Sequence, residues 1–274
     1  MNAQNPIGVF DSGYGGLTVL KEVVKMLPEY DYLYLGDNAR APYGPRSFDV
    51  VYEYTLEAVK ELFDRGCHLV ILACNTASAK ALRTIQQNDL PKMDSDRRVL
   101  GVIRPSTEII GQFSTTKSIG VLATEGTVAS DSYKIEIHKF SPQCKVTQHA
   151  CPMWVPLIEN NEHDTEAGRE FIRKDVQALL NKDPNIDTIV LACTHYPVVK
   201  DYIETLVPDH VQVIAQGKIV ARSLQDYLLR HPLMNSRCTR NGTVHYLTSE
   251  NTQTFNANAE KFIGEPVNST HISL

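Results

Sequence analysis

Cys74 and Cys193 each close an apolar run, and each is followed by small polar side chains: Leu69-Val70-Ile71-Leu72-Ala73-Cys74-Asn75-Thr76 and Ile189-Val190-Leu191-Ala192-Cys193-Thr194-His195. A thiol at a strand end among Asn, Thr and His is in the setting where cysteines react, whereas an isolated buried cysteine is a small core hydrophobe. Cys67, Cys144, Cys151 and Cys238 take the second reading. Two matched thiols admit three chemistries. A redox disulfide is generally built on C-x-x-C, and a two-thiol metal site needs further ligands; neither spacing occurs among the six cysteines. The third is a pair of acid/base groups on opposite faces of one substrate carbon. Inversion at a stereocentre has mirror-image forward and reverse substrates, so it needs a base on one face and an acid on the other, with the roles exchanged in reverse. A free thiol titrates near ~8.5, close enough to neutrality to serve as either.

Both thiols must be brought to one cleft. A continuous β-rich run reads as a buried parallel strand, and open α/β sheets bind ligands beyond the carboxyl ends of their strands. A second echo, Ile7-Gly8-Val9-Phe10-Asp11 against Ile119-Gly120-Val121-Leu122-Ala123, is offset by 112 positions, close to the 119 between the cysteines. The chain therefore reads as a duplicated α/β unit: two similar lobes facing a shared cleft. Strands are predicted at 7–10, 32–35, 69–73, 119–123, 189–192 and 243–247. A helix carrying Leu17, Leu20, Val24 and Leu27 stops at Pro28, and Ser47 is placed to cap a helix that ends before Gly66. The polar stretch 88–98 predicts the first linker. That assigns residues 1–98 plus 211–274 to the first domain and 99–210 to the second.

Composition narrows the partners. A formal net charge of −5 and the lack of any basic run leave no electrostatic footprint for nucleic acid or anionic lipid. No apolar run approaches the ~18 residues of a membrane span. Residues 1–6 carry neither a basic nor an apolar leader segment, so the expectation is a cytoplasmic protein acting on a small polar molecule.

Asp11-Ser12-Gly13-Tyr14-Gly15-Gly16 follows a strand and opens a helix, where anions are commonly held, but Thr18 stands where G-x-G-x-x-G needs its third glycine. A carboxylate site and a plain tight turn both remain open there. The Gly- and Pro-rich loop 36–45, with Tyr43 and Gly44, is another ligand-holding candidate. His195, two residues past Cys193, reads as a proton relay or orienter for the thiol, since no ligand-spaced companions point to metal. Asp11 gains interest only from lying across the cleft. Glu159, after the apolar stretch that holds the single Trp, is equally an exposed loop acid or a functional group.

Taken in order, Asp11-Ser12-Gly13 with Gly15-Gly16, Asp37-Asn38 with Pro42-Tyr43-Gly44, Cys74-Asn75-Thr76, Pro152 to Glu159 and Cys193-Thr194-His195 resemble the cofactor-independent glutamate racemases over essentially the whole chain. The resemblance implies two pseudo-symmetric Rossmann-like α/β domains with mainly parallel sheets and an active site in the interdomain cleft. It implies no cofactor and no metal, with D- and L-glutamate as substrates and D-glutamate supplied to peptidoglycan. By matching position, Cys74 and Cys193 become the acid/base pair, serving D- and L-glutamate respectively. Asp11 and His195 stand behind them as tuning groups, with Glu159 a third. Asp11-Ser12, Tyr43-Gly44, Asn75-Thr76 and Thr194-His195 would hold the substrate's carboxylates and ammonium. A homodimer is carried as an open alternative, since oligomeric state is not written in the motifs. Two segments depart from the family pattern: 213–217 lacks an acidic residue after Ile214, and 102–106 has Ser106 where glycine commonly follows the proline. Two other readings remain, a racemase of aspartate or another amino acid on the same fold, and a non-catalytic amino-acid-binding protein.

Overall fold

A computed structural model describes residues 5–274. Residues 1–4, part of the stretch read for a leader segment, lie outside the described residues. The chain opens with β1 (Ile7–Asp11), α1 (Gly16–Met26), β2 (Tyr32–Gly36), α2 (Phe48–Asp64), β3 (Leu69–Leu72), α3 (Asn75–Lys80) and β4 (Arg98–Gly101). After the helix Ile103–Phe113 come β5 (Ser118–Ala123), β6 (Lys145–Ala150), β7 (Thr188–Ala192) and β8 (Gln212–Ala215), then β9 (Val244–Thr248) and β10 (Ser269–His271).

These strands form two all-parallel sheets, ordered β10-β9-β2-β1-β3-β4 and β6-β5-β7-β8. The order 2-1-3-4 recurs as 6-5-7-8, so the duplication read from two short echoes extends through four strands. The register agrees residue by residue: Phe10 pairs with Leu72 in the first sheet, and Leu122 with Leu191 in the second. The central strands are buried along their whole length. Helices cover both faces of each sheet, giving two apolar layers per sheet, and each fully buried Val, Leu or Ile contributes about 1.5–3 kcal/mol. Local signals behave as their chemistry demands. Ser47 caps α2 by accepting from the Val50 amide, and Gly66 past its end takes φ 93°, a conformation that favours glycine.

The chain changes lobes slightly later than the sequence predicts. β4 pairs with β3, so residues 99–101, expected to open the second lobe, belong to the first sheet. β8 pairs with β7, so residues 212–215, expected to return to the first lobe, belong to the second sheet. The crossovers therefore fall at Val102 and Gln216. The expected polar linker 88–98 is partly helical, with Leu90–Met93 a helical turn followed by a short turn before β4. Both misplaced strands are four-residue edge strands, whose sheet membership is decided by long-range pairing that no local composition records.

Candidate active site

In sheets of order 2-1-3-4, ligands bind where the order reverses, beyond the ends of the first and third strands. Here that point recurs twice. Ser12 follows β1 and Cys74 follows β3; Thr124 follows β5 and Cys193 follows β7. All four line one cavity of ≈ 180 Å³ between the lobes. At about 30 Å³ per water, that space holds a small polar molecule of several heavy atoms. Tyr43, Gly44, Asn75 and Thr76 from the first lobe, and Thr194 and His195 from the second, complete most of the polar wall. Asp11 and Glu159 do not reach the cavity surface; they stand one layer behind it.

Each cysteine has a different neighbourhood. Cys74 caps α3, its Sγ accepting from the Ala77 amide at 3.4 Å, with the Ser12 hydroxyl also at 3.4 Å. Those contacts favour a thiolate, but burial and then the nearby Asp11 carboxylate outweigh them and push the thiol up to about 12. Cys193 faces an imidazole instead, with Sγ 4.0 Å from His195 Nδ1, while His195 Nε2 meets Glu159 Oε1 at 2.8 Å. Burial alone would push His195 down; its hydrogen bonds to Cys193 and Glu159 reverse this and raise it to about 10. The second lobe thus sets an imidazole beside its thiol. The first sets an acid, Asp11, near its own.

Asp11 is itself raised, chiefly by burial, while the His195 charge and the Gly13 amide pull it back. It joins the lobes: Gly13 N donates to Oδ2 at 3.0 Å and Thr194 Oγ1, from the opposite lobe, donates to Oδ1 at 3.3 Å. The lobes also meet through Thr18 Oγ1 donating to the Thr194 carbonyl at 2.8 Å and through the Thr76 and Thr124 hydroxyls at 3.0 Å. Gly15 makes this approach possible, because a Cβ there would run into His195 Nδ1 and Thr194 Oγ1. Tyr43 lines the cavity, but its hydroxyl is engaged elsewhere. Its hydroxyl donates to buried Asp37 at 2.5 Å, beside Arg40 Nε at 2.6 Å.

Sequence reasoning missed Thr124, which lines the cavity and whose hydroxyl caps the helix Glu125–Ala129. The repeat could have found it, since an offset of 112 carries Ser12 onto Thr124. Cys151 is fully buried, as expected of a core cysteine, yet it also borders the cavity beside Pro152, Val155 and Pro156. Cys151, His149 and Asp175 bring potential metal-ligating atoms within 4.8 Å of one another. Their bonding already occupies them. Lys182 Nζ donates to His149 Nδ1 at 3.0 Å, which places the ring proton on Nε2, donating to Asp175 Oδ1 at 2.9 Å. Asp175 Oδ2 accepts from Trp154 Nε1 at 2.7 Å. The group braces the cavity wall and leaves no imidazole lone pair for an ion.

Residues 7–224 match the family model described as Asp/Glu/Hydantoin racemase. A glutamate racemase of Ruegeria sp. is 40% identical over 267 residues, covering 94% of this chain and 96% of the relative. Among solved structures, a glutamate racemase of Bacillus anthracis superposes with a TM-score of 0.90 at 31% identity, covering 100% of this chain and 99% of the other. A glutamate racemase of Francisella tularensis in complex with D-glutamate superposes with a TM-score of 0.85 at 29% identity, covering 99% and 98%.

Proposed function

The chain belongs to the Asp/Glu/hydantoin racemase family and is an isomerase, and from that premise we propose that it interconverts L- and D-glutamate with Cys74 and Cys193 as opposed acid and base. The observation that carries the reading is the equivalence of the two thiols: each follows the third strand of a repeated four-strand order, and both line one cavity. In one direction the Cys193 thiolate takes the Cα proton of L-glutamate and the Cys74 thiol delivers a proton to the opposite face. The reverse uses the Cys74 thiolate on D-glutamate and the Cys193 thiol as donor. Each turnover leaves the two thiols with exchanged protonation states and the substrate with one proton replaced.

The two sides are prepared differently for this work. Cys74, pushed up to about 12, rests as the acid. His195 can hold the Cys193 proton, giving a thiolate–imidazolium pair, and Glu159 supports that cation. Substrate carboxylates and ammonium fall to Ser12, the Tyr43-Gly44 main chain, Asn75, Thr76, Thr124 and Thr194, with Asp11 steering from behind. Neither cofactor nor metal has a part in the proton transfers. The D-glutamate supplies peptidoglycan synthesis, which places the enzyme in the cytoplasm; no helix among the described residues is long and apolar enough to cross a membrane.

The test is deuterium wash-in at Cα in D2O, on dialysed, chelator-treated protein, with both enantiomers of glutamate and of aspartate. Both glutamates should exchange. Since one methylene is worth about 1–3 kcal/mol, aspartate should be roughly 10- to 200-fold poorer in kcat/KM. A higher kcat/KM for aspartate would overturn the substrate assignment, and an absolute need for an added cofactor would overturn the chemistry.

A further inference from the structure

The two segments that depart from the family pattern are bonded to each other. Ser106 Oγ at 2.9 Å and the Val102 carbonyl at 3.2 Å share one of the two Gln216 Nε2 protons. Val102 and Gln216 are the two points where the chain passes between lobes, so this side chain ties one crossover to the other. The same amide continues into the active site. Gln216 Nε2 donates to Tyr133 Oη at 2.7 Å, Tyr133 Oη donates to Asn75 Oδ1 at 2.7 Å, and Asn75 Nδ2 donates back to Gln216 Oε1 at 2.9 Å. All of these residues are buried, with Gln216 only 3% exposed and Asn75 2%.

The direction of this ring is forced. A carbonyl can only accept, so Val102 fixes the Gln216 amide with its nitrogen inward. Tyr133 has one hydroxyl proton, and with Gln216 donating to its oxygen that proton goes to Asn75 Oδ1. Asn75 is then held with its carbonyl accepting from Tyr133 and one Nδ2 proton given to Gln216. Its second Nδ2 proton is the one side-chain donor left outside the ring, on a residue that lines the cavity beside Cys74. We propose that Gln216 is a positioning residue: through the ring with Tyr133 and Asn75 it fixes the Asn75 amide so that the interlobe seam keeps an N–H donor free for a substrate carboxylate. The inference rests on glutamate being the substrate of this cavity.

Losing the anchor lets the Asn75 amide turn and offer its oxygen to a carboxylate. The bond is made to a charged group, so freeing its donor should weaken substrate binding by roughly tenfold. The experiment is a double-mutant cycle on the full chain with Gln216→Met and Asn75→Ala, read as KM and kcat for both glutamates and as the Kd of D-glutamate by calorimetry. Gln216→Met should raise KM and Kd about tenfold with kcat within about threefold of wild type. In the Asn75→Ala background the same substitution should change KM and Kd less than about twofold. Tyr133→Phe, which removes one hydroxyl and keeps the packing, should show the same dependence on Asn75 if Gln216→Met folds poorly. Equal fold-changes in both backgrounds, a loss confined to kcat, or wild-type binding in the single variants would overturn the proposal. An inert wild type would instead count against glutamate racemisation itself, which separates the two failures.

Discussion

Glu159→Gln keeps the shape beside His195 and removes a charge. In the wild type, burial is outweighed by hydrogen bonds to Cys193 and to Glu159 Oε1, the latter at 2.8 Å, and His195 is raised to about 10. A charged hydrogen bond is worth about 1.5–3 kcal/mol, and at ~1.36 kcal/mol per pH unit its loss should lower the His195 titration by about one to two pH units. The Glu159 side chain is 25% exposed, which moves the expectation toward the lower figure. Because the folded value is raised, the stabilisation is complete below the unfolded value near ~6.5 and is lost as pH rises through about 10. In the variant it is lost one to two pH units earlier. The assay is an NMR titration of ring-labelled histidines, with His195→Asn identifying the resonance, alongside urea unfolding across pH. The unfolding free energies should differ by about 1.5–3 kcal/mol at pH 6 and converge above pH 10. An unshifted His195 titration, or a gap that persists above pH 10, would refute the pairing with Glu159 as a support of the His195 charge.

Gly15→Ala should lower kcat/KM by at least ~100-fold with little change in far-UV circular dichroism, because its Cβ has no room against His195 and Thr194 and small misplacements at a reacting centre cost that much. Gly13→Ala, whose Cβ would meet Glu159 Oε1 at 3.2 Å, should cost much less, and equal losses would contradict the close-approach account. Away from the cleft, burial would raise Asp31, but hydrogen bonds from Thr243, Thr239 and Asn241 lower it from 3.8 to about 2. That depression is worth about 2 kcal/mol above pH ~4 and is lost as pH falls through about 2. The stability gap between wild type and Asp31→Ala, measured by urea unfolding, should therefore narrow by about 2 kcal/mol between pH 7 and pH 2; a constant gap would show that the carboxylate's charge is not what matters.

The βα units were legible because each rests on local chemistry: β-rich runs for β1, β3, β5 and β7, a serine cap before α2, a glycine after it. The sheet membership of the edge strands β4 and β8 is not legible, because a four-residue strand carries no mark of its partner. The cavity residues followed from the cysteine motifs and their neighbours, while Thr124 escaped because a lone threonine after a strand is unremarkable until the repeat is carried one residue further. Cys151 borders the cavity only through packing of the segment around Trp154, which spacing does not encode. Ser106 and Gln216 were visible as departures from a pattern, but their bond joins residues 110 positions apart and needs the folded seam to appear.

The two enantiomers have equal free energies, so kcat/KM must be the same in both directions for every variant, and racemisation itself cannot show which thiol serves which face. An irreversible probe can. With a glutamate bearing a leaving group on Cβ, one proton abstraction followed by elimination gives product without reprotonation on the far face. Cys74→Ser should eliminate from the L enantiomer and fail with the D, and Cys193→Ser should do the reverse, while both lose racemisation, because an alkoxide is far less available than a thiolate near neutral pH. A clean but reversed preference would exchange the faces and keep the two-base arrangement. The same enantiomer preference in both variants would contradict it.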